Sequence, residues 1–250
     1  MKPIRKLDEA SNGLKGLKDY LVGDGEQANW EGFRSHQGGK AYRKLVRALC
    51  YVQHGLCGYC EINIIPEDKQ VEHVKPRSCD KAGELKPDNM MLCCQGGTTP
   101  STNDNARKRK PIKGNRSFGE AKGNSIDPQF IDPRDLPPLP SLVRVDDEGK
   151  ISADKDACTD AEIDVNRVEK TIQILGLNVA RLRSARKQQW ATLHTTSEDH
   201  FNNRQVMEEA ARMQLLPGED GRLPPFFSTS RSYFGPVAER ILAEEPREWI

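Results

Sequence analysis

The feature that most restricts this chain is the placing of its cysteines, with Cys57-Gly58-Tyr59-Cys60 followed further on by the pair Cys93-Cys94. Two thiolates on one tight turn supply half of a tetrahedral metal site, and the other half must come from later in the chain. Such a cross-link ties a hairpin to the element that follows it, which a module with little core of its own requires. The seven cysteines, at 50, 57, 60, 79, 93, 94 and 158, are an odd number. The N-terminus, Met1-Lys2-Pro3-Ile4-Arg5-Lys6, lacks the apolar stretch of a signal peptide. The cytoplasm is therefore the expected location, and metal ligation or buried thiols are expected in place of a disulfide framework. A redox pair fits poorly, because such pairs open a helix after a parallel strand and no βαβ pattern surrounds this one.

Hydrophobic residues make up 36% of the chain and charged residues 30%. No apolar run is long enough to span a bilayer, and 250 residues accommodate one core or a small site-bearing module beside a helical region. The formal charge of +1 excludes a protein that is basic throughout, so affinity for a polyanion has to be local. Apolar residues at Leu45, Val46, Leu49, Cys50 and Val52 predict a helix over 41–53, ended by Gly55, with Trp30 and Phe33 anchoring the preceding segment. Two β-like runs, 61–65 and 70–74, flank Pro66-Glu67-Asp68-Lys69 and read as a hairpin. A polar insertion covers 95–126, and five prolines make 127–140 an extended connector. A second hairpin is expected around Asp146-Asp147-Glu148-Gly149. Helices follow, one through Val165, Val168, Ile172 and Leu175 up to Gly176, others through 179–193 and 206–213. Residues 223–234 read as an aromatic tail before a last helix ending near Glu245. The expected division is a helical region at 1–55, a site-bearing module with a basic insertion at 56–126, a connector and hairpin at 127–160, and a helical region at 161–250.

The chemistry concentrates at Glu72-His73, at the end of the second β-like run. Neighbouring strand residues point to opposite faces, and a kink there lets a carboxylate hold a hard cation while an imidazole faces substrate. Phosphodiester hydrolysis needs that division: a divalent ion offsets charge on the phosphate, and a base with a pKa near neutrality activates water. Between 107 and 122 lie Arg107, Lys108, Arg109, Lys110, Lys113, Arg116 and Lys122 against the single acid Glu120. That run suits a nucleic-acid backbone, held without reading sequence; a solvated loop is the plainer alternative. His36, His54, His194 and His200 read as surface or capping residues.

The order Gly55-Leu56-Cys57-Gly58-Tyr59-Cys60-Glu61, Val71-Glu72-His73-Val74-Lys75-Pro76, Asn89-Met90-Met91-Leu92-Cys93-Cys94-Gln95-Gly96-Gly97 and Glu120-Ala121-Lys122-Gly123-Asn124 resembles HNH endonucleases of the ββα-metal type, and most closely the retron- and Septu-associated PtuB-like proteins. Weaker likeness continues in Leu175-Gly176-Leu177-Asn178 and Leu223-Pro224-Pro225-Phe226. The resemblance implies an α+β chain in which a small ββα-metal (HNH) module with a zinc knuckle is embedded in a mostly α-helical protein. It implies a nuclease in which His73 is the general base and Glu72 the carboxylate on a catalytic Mg²⁺ or Mn²⁺, while Asn89 braces the loop that carries the His. Cys57, Cys60 and Cys94 match structural Zn²⁺ ligands, and Lys75, Arg107, Lys108, Arg109, Lys110 and Lys122 are the expected contacts to nucleic acid. The implied setting is antiphage defence beside a PtuA-like ATPase and a retron reverse transcriptase with its DNA, away from any membrane. DNA and RNA, tRNA included, both stay open as substrates. Phe118 stands where the family carries a further Cys, which leaves the fourth zinc ligand open between Cys93, Cys79 and a cluster that has lost its metal. The third residue of the HNH set is open among Glu120, Asn115 and Asn103-Asp104-Asn105. Two other readings stand beside the nuclease: a catalytically degenerate, zinc-stabilised nucleic-acid-binding module and a scaffold subunit.

Overall fold

In a computed structural model the chain is described over residues 1–96, 98–99, 110–111, 117, 119–124, 127–198 and 203–250. Three helices open it: α1 (Lys15–Asp24), α2 (Trp30–Ser35) and α3 (Lys40–Val52). α2 is capped by Asn29, whose side chain accepts from the Gly32 N–H. α3 buries Ala41, Leu45, Val46, Leu49 and Val52, the spacing that predicts it. Trp30 and Phe33 are buried, as their expected anchoring role requires.

β1 (Gln70–His73) pairs antiparallel with β2 (Met90–Cys93), setting Gln70 opposite Cys93 and His73 opposite Met90. This corrects the expected hairpin between 61–65 and 70–74. The 61–65 run folds back instead onto the residues around the CxxC turn. Cys57 N–H donates to Ile62 O at 2.8 Å, Ile64 N–H donates to Gly55 O at 2.8 Å, and Leu56 bridges Asn63. The reversal occurs at Glu61, which sits at φ 64°, a region rarely used outside glycine. Gly58 fits the turn because a Cβ there would stand 2.9 Å from the Met91 sulfur.

Gln53, one residue past α3, clips the knuckle to the sheet. Its amide nitrogen donates to Leu56 O (2.9 Å) and Leu92 O (2.7 Å), and its oxygen accepts from Leu92 N–H (2.7 Å). The side chain acts as a short strand on the free side of β2, satisfying backbone groups that burial would otherwise leave unpaired.

β3 (Thr98–Thr99) pairs with β4 (Lys110–Pro111), and α4 (Gly119–Lys122) follows. The expected second hairpin is present as β5 (Val143–Val145) and β6 (Ile151–Ala153). The chain then becomes helical through α5 (Lys155–Asp160), α6 (Val165–Ile174), α7 (Ala180–Ser197) and α8 (Arg204–Leu215). It ends with α9 (Phe227–Phe234), α10 (Pro236–Glu244) and α11 (Pro246–Trp249). α9 corrects the expected aromatic tail. Its Ser228, Thr229, Ser230 and Arg231 are buried along with Phe227 and Phe234, so it shows no amphipathic period. Two of its polar side chains find partners inside: Ser228 Oγ donates to Glu61 Oε1 at 2.6 Å, and Arg231 Nε donates to Glu239 at 2.6 Å.

One core joins α1–α3, the knuckle, β1–β2, β5–β6 and α6; a second joins α8–α11 with Leu193 of α7. Cys57 belongs to the first and Leu56 to the second, so the CxxC turn lies on their seam. The architecture is α+β and mostly helical. Among the described residues no helix is long and apolar enough to cross a membrane.

Candidate metal centre and catalytic cleft

β2 delivers Cys94 to the CxxC turn. The sulfurs of Cys57, Cys60 and Cys94 all lie within 4.8 Å of one another, and all three residues are buried. Cys60 Sγ and Cys94 Sγ are 3.8 Å apart, which matches the separation of about 3.8 Å that two sulfurs have when each is about 2.3 Å from a tetrahedral zinc. Backbone donors serve the sulfurs as thiolates require: Cys94 N–H donates to Cys57 Sγ at 3.4 Å, Cys60 N–H also donates to Cys57, and Gly96 N–H to Cys94. Burial alone pushes the Cys57 thiol up, but hydrogen bonds from the neighbouring thiols bring it well below its usual value, while Cys60 and Cys94 are pushed up. The cluster thus concentrates negative charge in a buried place, which is what a thiophilic cation neutralises. Among the described residues no fourth ligand joins it. Cys93 is buried but outside the set, and Cys79 is exposed, its Sγ donating to Asn124 O at 3.0 Å. Phe118 lies outside the described residues; its neighbour Ser117 is buried and donates from its N–H to Gly96 O at 3.1 Å.

Glu72 and His73 line one cleft of ≈ 400 Å³ together with Arg77, Ser78, Lys122 and Asn124. His73 is 9% exposed. Its Nε2 lies 2.9 Å from Glu84 O; a carbonyl can only accept, so Nε2 carries the proton and Nδ1 keeps the lone pair. Trp30 of α2 meets the imidazole edge-on, with centroids 4.6 Å apart and planes at 86°. Burial lowers the His73 pKa below its ordinary value, which keeps the ring neutral and basic at neutral pH.

Asn89 fixes the segment after His73. Its Oδ1 accepts from Lys75 N–H at 2.7 Å, its Nδ2 donates to Lys75 O at 3.0 Å and Gly83 O at 3.2 Å, and its own carbonyl accepts from Val74 N–H at 3.0 Å. It makes these bonds to backbone from a buried position, 6% exposed.

Burial raises the Glu72 pKa, and Lys122 opposes that rise. The Lys122 ammonium lies 3.5 Å from Glu72 Oε1, donates to Val74 O and sits 5.8 Å from the Phe130 ring centre. Its side chain is only 4% exposed. Lys122, an expected nucleic-acid contact, is turned inward in this structure onto the mostly buried Glu72 carboxylate and also lines the cleft. A hard divalent ion fits the same carboxylate, since Mg²⁺ commonly takes one or two protein carboxylates and completes its shell with water and substrate phosphate.

The remaining expected site residues scatter. Lys75 is exposed on a neighbouring cavity of ≈ 600 Å³, whose lining mixes Lys6, Lys75 and Lys86 with Asp80, Asp88 and Asp127. Arg107, Lys108 and Arg109 lie outside the described residues, as do Asn103, Asp104, Asn105 and Asn115, and of Lys110 only the backbone is described. Three further groups shape the site and were not singled out as site residues in the sequence: Asn124, which lines the cleft, and Trp30 and the Glu84 carbonyl, which contact His73. Asn124 carried a signal, standing directly after Lys122-Gly123 in the stretch that resembles the nuclease motif. Trp30 reads in sequence only as an apolar anchor. The Glu84 carbonyl is backbone and leaves no trace in residue type.

No family model matches the chain. It is 28% identical over 223 residues to the "Retron Ec83 putative HNH endonuclease" of Escherichia coli, covering 81% of this chain and 83% of that relative. It is 27% identical over 179 residues to the "Retron Vc95 putative HNH endonuclease" of Vibrio cholerae serotype O1 biovar El Tor, covering 69% of this chain and 76% of that one. The resemblance to retron-associated HNH endonucleases therefore extends well beyond the middle third that carries the motifs.

Proposed function

We propose that this chain is an HNH-type nuclease that hydrolyses nucleic-acid phosphodiester bonds with a divalent cation, and that β1, β2 and α4 form its ββα-metal module over a structural zinc knuckle. The observation that carries the reading is the pairing of a mostly buried carboxylate, Glu72, with a neutral, oriented imidazole, His73, in one cleft, with a three-thiol cluster elsewhere in the same module. His73 takes the proton of the attacking water at Nδ1, while its Nε2–H stays on the Glu84 carbonyl and Trp30 holds the ring plane. Asn89 keeps the turn after His73 from relaxing. Glu72 is the cation's protein ligand, and Asn124 is the third cleft residue able to face it. When bound, the divalent ion offsets the charge that builds on the phosphate and the leaving oxygen. Cys57, Cys60 and Cys94 hold zinc, with a fourth ligand outside the described residues or water.

The names of the two relatives place them in retrons, which supports an antiphage setting for this chain and makes a PtuA-like ATPase and a retron reverse transcriptase with its DNA its proposed partners. A second reading, a degenerate binding module, draws support from Lys122, whose ammonium already neutralises Glu72. The two separate on one preparation. Protein incubated with duplex DNA, single-stranded DNA and total RNA is expected to cut at least one of them in Mg²⁺ or Mn²⁺ and none in EDTA. Binding without cutting in any metal, with the partners present, would favour the degenerate module.

Lys122 also gives a prediction that does not depend on turnover. Lys122→Met strips Glu72 of its partner, which for a buried pair costs about 3 kcal/mol or more. The variant is expected to melt well below the wild type in buffer without added Mg²⁺ or Mn²⁺ and without chelator, and to recover most of the difference in millimolar Mn²⁺, whereas the wild type shifts little. A Mn²⁺ response equal in the two proteins would remove Glu72 as the cation's ligand.

A further inference from the structure

We infer that the solvent face of α3 is a binding surface for a single strand of nucleic acid, with phosphates along Lys40, Arg43, Lys44 and Arg47 and a base against Tyr51. The inference rests on the nuclease reading for its choice of ligand and adds where the strand lies.

Helix α3 contains four cations and no acid in its thirteen residues, within a chain whose formal charge is only +1. At about 100° per residue, Lys40, Arg43, Lys44 and Arg47 fall within an arc of roughly 100°, opposite the buried face. All four are exposed, and among the described residues none forms an ion pair; Arg43 bonds only to the Gly38 carbonyl, at 3.2 Å. The pairs 40/43, 40/44, 43/47 and 44/47 each set like charges three or four residues apart, and such pairs destabilise a helix by about 0.2–0.5 kcal/mol each. A purely solvated face would relieve that repulsion with interleaved acids. A polyanion relieves it by binding.

The dimensions fit one strand. From Lys40 to Arg47 the helix advances about 10 Å, about three nucleotide steps at the roughly 3.4 Å axial rise of one strand in a duplex and fewer for a strand more extended than that. Tyr51 continues the stripe one turn beyond Arg47 and is 72% exposed, an unusual state for so large a ring. An exposed aromatic at the end of a basic track is how single strands gain base stacking beside phosphate contacts. Beside it runs a groove of ≈ 410 Å³ lined by Leu7, Asn12, Gly13, Lys44, Arg47 and Tyr51. The surface is also mounted on the element that steadies the cleft. Tyr42 of α3 packs edge-on against Trp30 (centroids 5.8 Å), and Trp30 packs against His73.

The test measures binding of a fluorescent oligothymidylate to the full chain, in buffer without added Mg²⁺ or Mn²⁺ so that nothing is cut, across a salt series. Three proteins are compared: wild type, a variant with Lys40, Arg43, Lys44 and Arg47 all changed to Gln, and a control with the exposed Lys150, Lys155, Arg167 and Arg204 changed to Gln. Circular dichroism confirms that each is folded. The α3 variant is expected to bind roughly 30- to 100-fold more weakly near 0.1 M salt, with the slope of log K against log salt reduced by about 2–3, since each single-strand phosphate contact contributes about 0.7. Tyr51→Ala is expected to weaken binding roughly tenfold with the salt slope unchanged. The control is expected to stay within a few-fold of wild type. Unchanged binding by the α3 variant overturns the assignment, as does an equal loss in the control, which would reduce the effect to net charge. Poly-glutamate competing as well as the oligonucleotide overturns it in favour of an acidic protein partner. If the wild type binds no nucleic acid at all, the nuclease reading fails as well; if it binds but never cuts, only that reading fails.

Discussion

Chelation of the zinc proposed for the cysteine cluster, or Cys94→Ser, is expected to unfold the region around the CxxC turn and to lower the melting temperature by more than 10 °C. β1 and β2 are four residues each, too short to be stable as an isolated pair. They are held by Gln53, by Asn89 and by whatever joins Cys57, Cys60 and Cys94. Structural zinc in small modules contributes on the order of 10 kcal/mol at neutral pH, and a loss of even half of that shifts melting by more than 10 °C in a protein of this size, at about 2–4 °C per kcal/mol. The knuckle also touches both cores through Leu56 and Cys57, so damage there spreads to the C-terminal helices. The purified protein is expected to carry about one zinc per chain by elemental analysis, and Cys57→Ser and Cys94→Ser are expected to lose it. Cys79→Ser is expected to keep it, because Cys79 is exposed and outside the cluster. A protein that comes metal-free and melts identically with and without chelator would show a packed thiol cluster in place of a metal site.

His73→Ala is expected to cut nucleic acid at least 10²-fold more slowly, and up to about 10⁴-fold, the range that a positioned general base supplies. Among the described residues the ring makes one hydrogen bond and one aromatic contact, to Glu84 O and Trp30. Its removal therefore leaves Glu72, Lys122 and the clustered cysteines in place, and melting is expected to fall only modestly. Trp30→Leu, which keeps the base but frees its plane, is expected to lose less activity than His73→Ala, with the loss in kcat and not in substrate affinity.

Parts of this arrangement are legible in the sequence for definite physical reasons. The gathering of Cys57, Cys60 and Cys94 is legible because a CxxC turn points to further thiols later in the chain, and β2 brings Cys94 to it across more than thirty residues. α3 and the β5–β6 hairpin follow from apolar period and turn chemistry. The failures are equally specific. The 61–65 run has strand-like residues, but the reversal at Glu61 depends on a non-glycine residue at positive φ, and that preference is set by tertiary contacts with Lys2 and Ser228. α9 is invisible because Ser228 is buried against Glu61 and Arg231 against the Pro138 carbonyl, both from distant segments, which erases the amphipathic pattern. Lys122 misleads for a related reason: in sequence it ends a basic run, and only the fold reveals that its ammonium is committed to Glu72 and Val74.

The account stands most directly on single-turnover cleavage by wild type and His73→Ala, prepared alike, with matched melting curves and zinc contents, on whichever nucleic acid the wild type cuts in Mg²⁺. A rate reduced at least 10²-fold in a folded, zinc-loaded variant is the predicted result. Equal rates from the two proteins would contradict it and place the nuclease activity somewhere other than the Glu72–His73 cleft.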